Sequence, residues 1–178
     1  MIYNIQRLIV ENSALFLRSP VQFIPEVVQQ KIVISLLESV CREGIQEGDF
    51  DFLEGKWLKV GIDDLNLYKL ISFKQGRLVV DSLSPDITPD VTFRGNLNDL
   101  VLIVGRMEDP DTLFFQRRLI IEGDTELGLE VKNILDNIDF EHLPKYIQLP
   151  IRELAEFVYK GIENPSNRIS RKQNAYPY

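Results

Sequence analysis

Residues 113–135 read LFFQRRLIIEGDTELGLEVKNIL. Two Phe lead into two Arg, and the run RRLIIEG has the character of a strand. Gly123 ends that run, and Asp124 stands where a short carboxylate caps a helix. In TELGLEVKNILDNI, Leu127, Val131, Ile134, Leu135 and Ile138 share one face at helical spacing. A strand therefore feeds an amphipathic helix through a Gly-Asp join. Nothing in the stretch looks like a nucleophile or a metal ligand, so its purpose must lie in its apolar surface.

Upstream, the spacing predicts an antiparallel meander. KWLKVGID alternates Leu58, Val60 and Ile62 with Trp57, Lys59 and Gly61. Asp63-Asp64 turns the chain into NLYKLISFK, Gln75-Gly76 turns it into RLVVDSL, and DVTFRG comes after the loop SPDITPD as a fourth strand. Asn96 is placed to cap a helix LNDLVLIVGR with Asp99 near its positive end. Asp109 and Pro110 are placed to start a short helical turn. Residues 148–160 give a final helix, and PSNRISRKQNAYPY is a polar tail.

Before the strands lie two apolar helical stretches. Residues 2–17 put Ile2, Ile5, Leu8, Ile9 and Phe16 on one side, and Pro20 and Pro25 punctuate the chain beyond them. In EVVQQKIVISLLESVCR (26–42), Val28, Ile32, Val33, Ile34, Leu36, Leu37, Val40 and Cys41 spread over roughly 240 degrees of arc at 100 degrees per residue, interrupted by Gln29 and Gln30. A surface helix needs an apolar stripe of about 100 degrees or somewhat more. This helix is either buried on two sides or faces something that is not protein. GIQEGDFDFLEG (44–55) reads as a turn-rich link.

The composition narrows the function. The chain has 178 residues, 44% hydrophobic and 26% charged, with a net charge of −7. A chain of this size hides roughly 70% of the surface its unfolded form exposes. The acidic balance argues against nucleic acid, which needs a basic stripe. One cysteine, Cys41, rules out an intrachain disulfide, and with one histidine, His142, no Cys/His set has metal-ligand spacing. A single thiol points weakly to a reducing compartment. No apolar run is long enough to span a bilayer, and the first twenty residues read as mature protein, not a signal peptide.

Each remaining candidate for chemistry has a plainer reading. His142 has no Ser or Cys motif beside it and reads as a surface or hinge residue. Cys41 lies in the apolar arc as a small hydrophobe. Asp63-Asp64 and Asp109/Asp111 read as turn and cap rather than acid–base pairs. GDTELGLE spaces two glycines like a phosphate loop, but Leu129 and Glu130 stand where Lys-Ser/Thr belongs. Gly128, on the border of an apolar helix face, leaves room either for close packing on a strand or for a ligand.

The succession of hairpin strands, DVTFRGNLNDLVLIVGR and DPDTLFFQRRLIIEGDTELGLEVKNILD resembles the sterol carrier protein 2 family of lipid-binding domains over residues 50–138. The Leu119–Leu135 join is the strongest element. Within that family it looks most like the bacterial accessory factors of oxygen-independent ubiquinone biosynthesis, through LFFQRRLIIEGDTELGLEVKN, total length and the apolar N-terminal helix. The resemblance implies an α+β fold: a five-stranded, mostly antiparallel sheet covered by helices, with extra N- and C-terminal helices. It implies an N-terminal helical segment (1–43) packed on a lipid-binding domain (44–164), then a flexible polar tail (165–178). It implies no catalytic residue and no cofactor, and a cytoplasmic protein that meets the inner membrane peripherally.

The implied ligand is an isoprenoid quinone intermediate or a phospholipid, and the implied partners are the iron–sulfur hydroxylase pair and other ubiquinone biosynthesis enzymes. On this reading the lipid lining comprises Val28, Ile32, Leu36, Phe73, Leu100, Ile103, Phe114, Phe115, Leu127 and Val131. Arg117 and Arg118, at a strand start, read either as a solvated edge or as a contact to the head group; because many relatives are less charged there, the resemblance does not imply sterol as the ligand. The rival reading is an interaction module without a cavity, whose spare apolar arc seats a protein partner or a second copy as a homodimer. A third is a lipid-modifying enzyme acting through His142.

Overall fold

The computed structural model describes residues 2–137, 143 and 145–162. Strands β1 (Leu58–Ile62), β2 (Leu67–Lys74) and β3 (Arg77–Asp81) form an antiparallel meander, with Leu58 opposite Ile71 and Ile71 opposite Val80. β4 (Val91–Gly95) lies on the other side of β1, and β5 (Leu119–Gly123) closes that edge antiparallel to β4. The sheet order is β3-β2-β1-β4-β5.

The expected four-strand meander is corrected at β4, which runs parallel to β1 with Leu58 opposite Val91. Residues 82–90 are long enough to carry the chain past β2 and β1 rather than turn it back. Their end is docked on the start of β1: the Asp90 N–H donates to the Trp57 carbonyl at 2.8 Å, and the Trp57 N–H to Asp90 Oδ2 at 2.8 Å. The sheet is thus mixed and mostly antiparallel.

One face of the sheet builds the main core. Leu58 of β1, Ile71 and Phe73 of β2, Leu78 and Val80 of β3, Val91 and Phe93 of β4 and Leu119 of β5 are all buried in one cluster. Helix α3 (Glu26–Val40) covers it at β3, and α7 (Thr125–Asn137) covers it at β4 and β5. Between α3 and β1 the chain makes a short helix α4 (Arg42–Glu47) and a 3-10 turn, Asp51–Leu53, where only a link was expected. Buried Leu53 and Phe50 add to the core.

The helix starts are set by side-chain chemistry. At α6 (Pro110–Phe115), Asp109 Oδ2 accepts from the Thr112 N–H at 2.9 Å, and at α7, Asp124 Oδ1 accepts from the Glu126 N–H at 2.9 Å. At α5 (Leu97–Val104) the expected Asn96 cap makes no side-chain bond; Asp64, on the Asp63–Leu65 turn, accepts from the Leu97 N–H at 3.0 Å. Its neighbour Asp63 holds Arg94 Nη1 at 2.7 Å and the Tyr68 hydroxyl at 3.0 Å. The Asp63-Asp64 pair is therefore committed to structure.

The N-terminal stretch is two helices, α1 (Ile2–Glu11) and α2 (Ser13–Phe23). Asn12 breaks them apart by turning its side-chain amide back onto the Leu8 carbonyl at 2.8 Å. Helix α2 runs through Pro20 and ends at Phe23; Pro25 then precedes α3. The last helix, α8 (Lys145–Ile162), is longer than expected and lies along α1 and α5. There Val10, Leu102 and Val158 make a second, small core. Two glycines permit the approach: a methyl on Gly161 would stand 2.5 Å from Val10 Cγ2, and one on Gly105 would run into Ala155 Cβ. His142, Ile138 and the tail from 165 lie outside the described residues.

Overpacking a close contact of this kind costs about 1–3 kcal/mol. Gly105→Ala should therefore lower the thermal midpoint by several degrees, at roughly 2–4 °C per kcal/mol for a chain of this length. A midpoint equal to or above that of the parent would show that α8 is not seated on α5 as described.

Candidate functional site

The ten residues expected to line a lipid site divide between the inside and the outside of the molecule. Phe73, Ile103, Leu127 and Val131 are buried together in the main core, and Leu100 packs partly buried against it. Val28, Ile32 and Leu36 lie on the outer side of α3 and are 43%, 47% and 48% exposed. The inner side of the same helix, Val33, Ile34, Leu37 and Val40, meets the core. The wide apolar arc therefore does two jobs: half of it covers the sheet, and half is left bare. Phe114 and Phe115 stack edge to face with each other, centroids 5.8 Å apart, and both are exposed.

Gly128 resolves toward close packing, since a methyl there would stand 2.9 Å from Ile121 Cγ2 on β5. Cys41 is buried at the end of α3, and burial pushes its thiol up to about 11. That leaves it neutral and unreactive at ordinary pH.

The two arginines are accounted for by the turn they occupy. Arg117 has φ +60°, and its N–H donates to the Phe114 carbonyl at 2.9 Å while the Arg118 N–H donates to Leu113 at 2.9 Å. This pair of bonds is the usual left-handed closure of a helix, with Arg where glycine is favoured. Arg118 then turns its guanidinium onto buried Asp99, Nε donating to Oδ1 at 3.0 Å with Nη2 on the same oxygen. Asp99 thus serves this ion pair as well as the start of α5. Arg117 itself is exposed.

Among the described residues, two of the surface grooves bear on the site. One, of about 230 Å³, is lined by Ile103, Met107, Pro110 and Leu135 together with Arg106, Glu108, Asp109 and Asp136. The other, of about 440 Å³, lies at the elbow between α2 and α3, over the start of β2. Gln29 fixes that elbow by donating to the Ile24 carbonyl at 2.9 Å and the Val21 carbonyl at 3.2 Å. Of the expected lining residues, only Ile103 borders either groove.

Beyond Phe16, already placed on the apolar side of the first stretch, the sequence reading did not single out Leu15, Phe23 or Val27, which the structure leaves bare. Leu15, Phe16 and Phe23 on α2 and Val27 on α3 are 71%, 64%, 86% and 61% exposed. They join Ile5 and Leu8 of α1 and Val28, Ile32 and Leu36 of α3 in one run of helices. Monomeric proteins seldom leave so many large apolar side chains bare in one region. Residues 1–40 carry three cations (Arg7, Arg18, Lys31) and three acids (Glu11, Glu26, Glu38), so the whole excess of seven negative charges lies in residues 41–178. No helix among the described residues is long and apolar enough to cross a membrane. Among them, no three His, Cys, Asp or Glu side chains are grouped to hold a metal ion.

Comparison with known proteins gives a consistent picture. The model of the SCP-2 sterol transfer family matches residues 35–136. A protein of Escherichia coli strain K12 described as "Ubiquinone biosynthesis accessory factor UbiT" is 39% identical over 163 residues, 92% of each chain. The protein of the same description from Escherichia coli O157:H7 matches to the same extent. Among solved structures, "UbiJ-SCP2 Ubiquinone synthesis protein" aligns with a TM-score of 0.53 at 17% identity, covering 64% of this chain and 98% of that one. That likeness is one of fold.

Loss of one partner from a largely buried ion pair is costly, here reduced because Arg118 is one-third exposed. Arg118→Ala should destabilise the fold by about 1–3 kcal/mol in urea unfolding. Arg117→Gly should instead be neutral or stabilise by up to about 1 kcal/mol, since it relieves a left-handed backbone. Equal effects at the two positions would contradict the turn described.

Proposed function

The chain belongs to the SCP-2 sterol transfer family, and from that premise we propose that it is a non-enzymatic lipid-binding accessory factor that holds isoprenoid quinone intermediates or phospholipid for oxygen-independent ubiquinone biosynthesis. The observation that carries the proposal is its 39% identity to a protein named as a ubiquinone biosynthesis accessory factor, over 92% of both chains. Its partners on this reading are the iron–sulfur hydroxylase pair and other enzymes of that synthesis, which would act on the ring it presents. Residues 44–164 form the lipid-binding domain, residues 1–43 a helical segment packed on it, and residues 165–178 a polar tail.

The physics of a carrier is undemanding on affinity. Each buried methylene gains about 0.8 kcal/mol relative to water, so a five-carbon isoprenoid unit gains about 3 kcal/mol or more. A bilayer offers the same gain. Transfer between the two is near neutral, and the protein's task is to keep the tail from water in between. Phe73, Ile103, Leu127 and Val131, buried between sheet and helices, are the residues proposed to meet the tail, with Leu100 beside them. The bare apolar surface of α1–α3 is proposed to meet the bilayer as an interfacial surface. Its zero net charge within a chain of −7 supports this, since an anionic bilayer repels acidic surface.

A second reading draws on the outward orientation of Val28, Ile32 and Leu36. There the same surface seats a protein partner or a second copy, and no lipid is held.

Solvent extraction of the purified protein separates the two. The carrier reading expects lipid in near-stoichiometric amount by mass spectrometry, quinone-related or phospholipid. Empty protein that runs as an obligate dimer supports the interaction module instead. The membrane surface is tested by Phe16→Ser with Phe23→Ser, both at exposed positions, because removing α1 would also strip Val10 from the second core. The double variant should lose most of its binding to phosphatidylglycerol-containing liposomes in flotation, given about 1.5–3 kcal/mol per buried apolar side chain. Unchanged flotation would end the membrane role of α2.

A further inference from the structure

In β2 the side chains of Leu67, Lys69, Ile71 and Phe73 share the face of the sheet that builds the core. Three of the four are apolar, and the fourth is an ammonium. The Lys69 side chain is only 8% exposed. Its charged partner is Glu26, at the first position of α3, with Nζ 3.6 Å from Oε1, which is too long for a hydrogen bond. Glu26 is itself 63% exposed, so it belongs mostly to water. A nearly buried charge with so little compensation is expensive to keep.

Lys69 and Glu26 both border the 440 Å³ groove at the α2–α3 elbow. Among the described residues no fully buried side-chain nitrogen or oxygen lacks a hydrogen bond. The Lys69 ammonium, which has only the long Glu26 contact, therefore keeps its opening onto the groove. The walls of that groove include Val21, Leu65, Leu67 and Leu83. Its volume lies within the roughly 300–1,000 Å³ typical of small-molecule sites. The same lining also carries Gln22, Gln29, Asn66 and Tyr68, and Lys69 is its one cation. A mixed wall with one ammonium suits an amphiphile whose head carries an oxygen acceptor.

We propose that this groove is a head-group site, in which the Lys69 ammonium donates to an oxygen on the head of an amphiphile while Val21, Leu65, Leu67 and Leu83 receive its apolar part. The head is a ring carbonyl, a phenolate or a carboxylate; each presents the acceptor the ammonium lacks. Glu26 competes for the same ammonium and is displaced into water when the ligand binds. The proposal rests on the carrier reading and adds to it where the head is read, and by which residue. Arg117 and Arg118 have no part in it, because the α6 turn and Asp99 occupy them.

Binding of three probes decides it: a geranyl-substituted benzoquinone, oleate, and squalene, which has no polar head. Lys69→Met should weaken the oxygen-headed probes on the order of tenfold, as loss of a hydrogen bond to a charged group does, and leave squalene within about twofold. Glu26→Gln should tighten the same probes several-fold, because a competing carboxylate is gone. A loss confined to the quinone assigns the site to a ring head, and one confined to oleate assigns it to a fatty acyl head; both support the site. Lys69→Met binding all three as the parent does overturns the proposal and leaves the carrier reading standing. A parent protein that binds none of the three overturns both. If Lys69→Met fails to fold, Glu26→Gln decides alone, and no tightening by that variant overturns the site.

Discussion

Gly123 sits at φ +110°, and a methyl there would strike the Asp90 carbonyl oxygen. Across the ladder Gly123 faces Val91, and one residue on, the Asp124 N–H donates to that same Asp90 carbonyl at 2.9 Å. Two backbones can come this close only because one has no side chain. The contact fixes where β5 ends, where α7 begins, and the angle at which α7 returns over β4 and β5. The other end of Asp90 is tied to Trp57 at the start of β1. The return of the 82–90 connection, the parallel pairing of β1 with β4 and the placement of the covering helix thus meet at one backbone junction. The core residues Leu127 and Val131 owe their burial to that junction, since they face the sheet only if α7 leaves Gly123 in this direction.

The parts of the fold that were legible in the sequence are those governed by local chemistry. Alternation in 57–81, the Asp109-Pro110 start and the Gly-Asp join each arise from residues within a few positions of one another. Pairing of β4 was not legible, because alternation says that a segment is a strand and nothing about its neighbour. Nor was the cap of α5: Asn96 stood in the favoured place, yet Asp64 from a distant turn took the role. Which apolar residues turn inward was legible in part. Apolar spacing found Phe73, Leu127 and Val131 as inward residues, but on α3 it could not tell the half of the arc that meets the sheet from the half that does not. Lys69 had a signal that went unused. In LYKLISFK the set 67, 69, 71, 73 reads Leu, Lys, Ile, Phe, and a cation inside an otherwise apolar alternate set marks a site that needs an explanation.

The molecule has two cores of unequal standing. The main one, under α3 and α7, gathers side chains from all five strands. The second, around Val10, Leu102 and Val158, is small and depends on glycines that let helices touch. Helix α2 has no buried residue at all. It lies against the Asp63–Leu65 turn and α5, and polar bonds fix its ends, Ser13 Oγ to Asn98 Oδ1 at 3.1 Å at the start and Gln29 at the finish. A segment with no fully buried side chain can change what it touches at little cost to the core.

The contact between Val10 and Gly161 joins residues some 150 positions apart. During synthesis, at roughly 5–20 residues per second, α1 emerges many seconds before the helix it will lean on exists. Until then Val10 has Leu102 of α5 beside it but not Val158, so the α8 side of the arm stands open. A nascent chain in that condition is open to capture by whatever apolar surface lies nearest the ribosome, and the order of synthesis sets the arm ahead of the helix that fastens it.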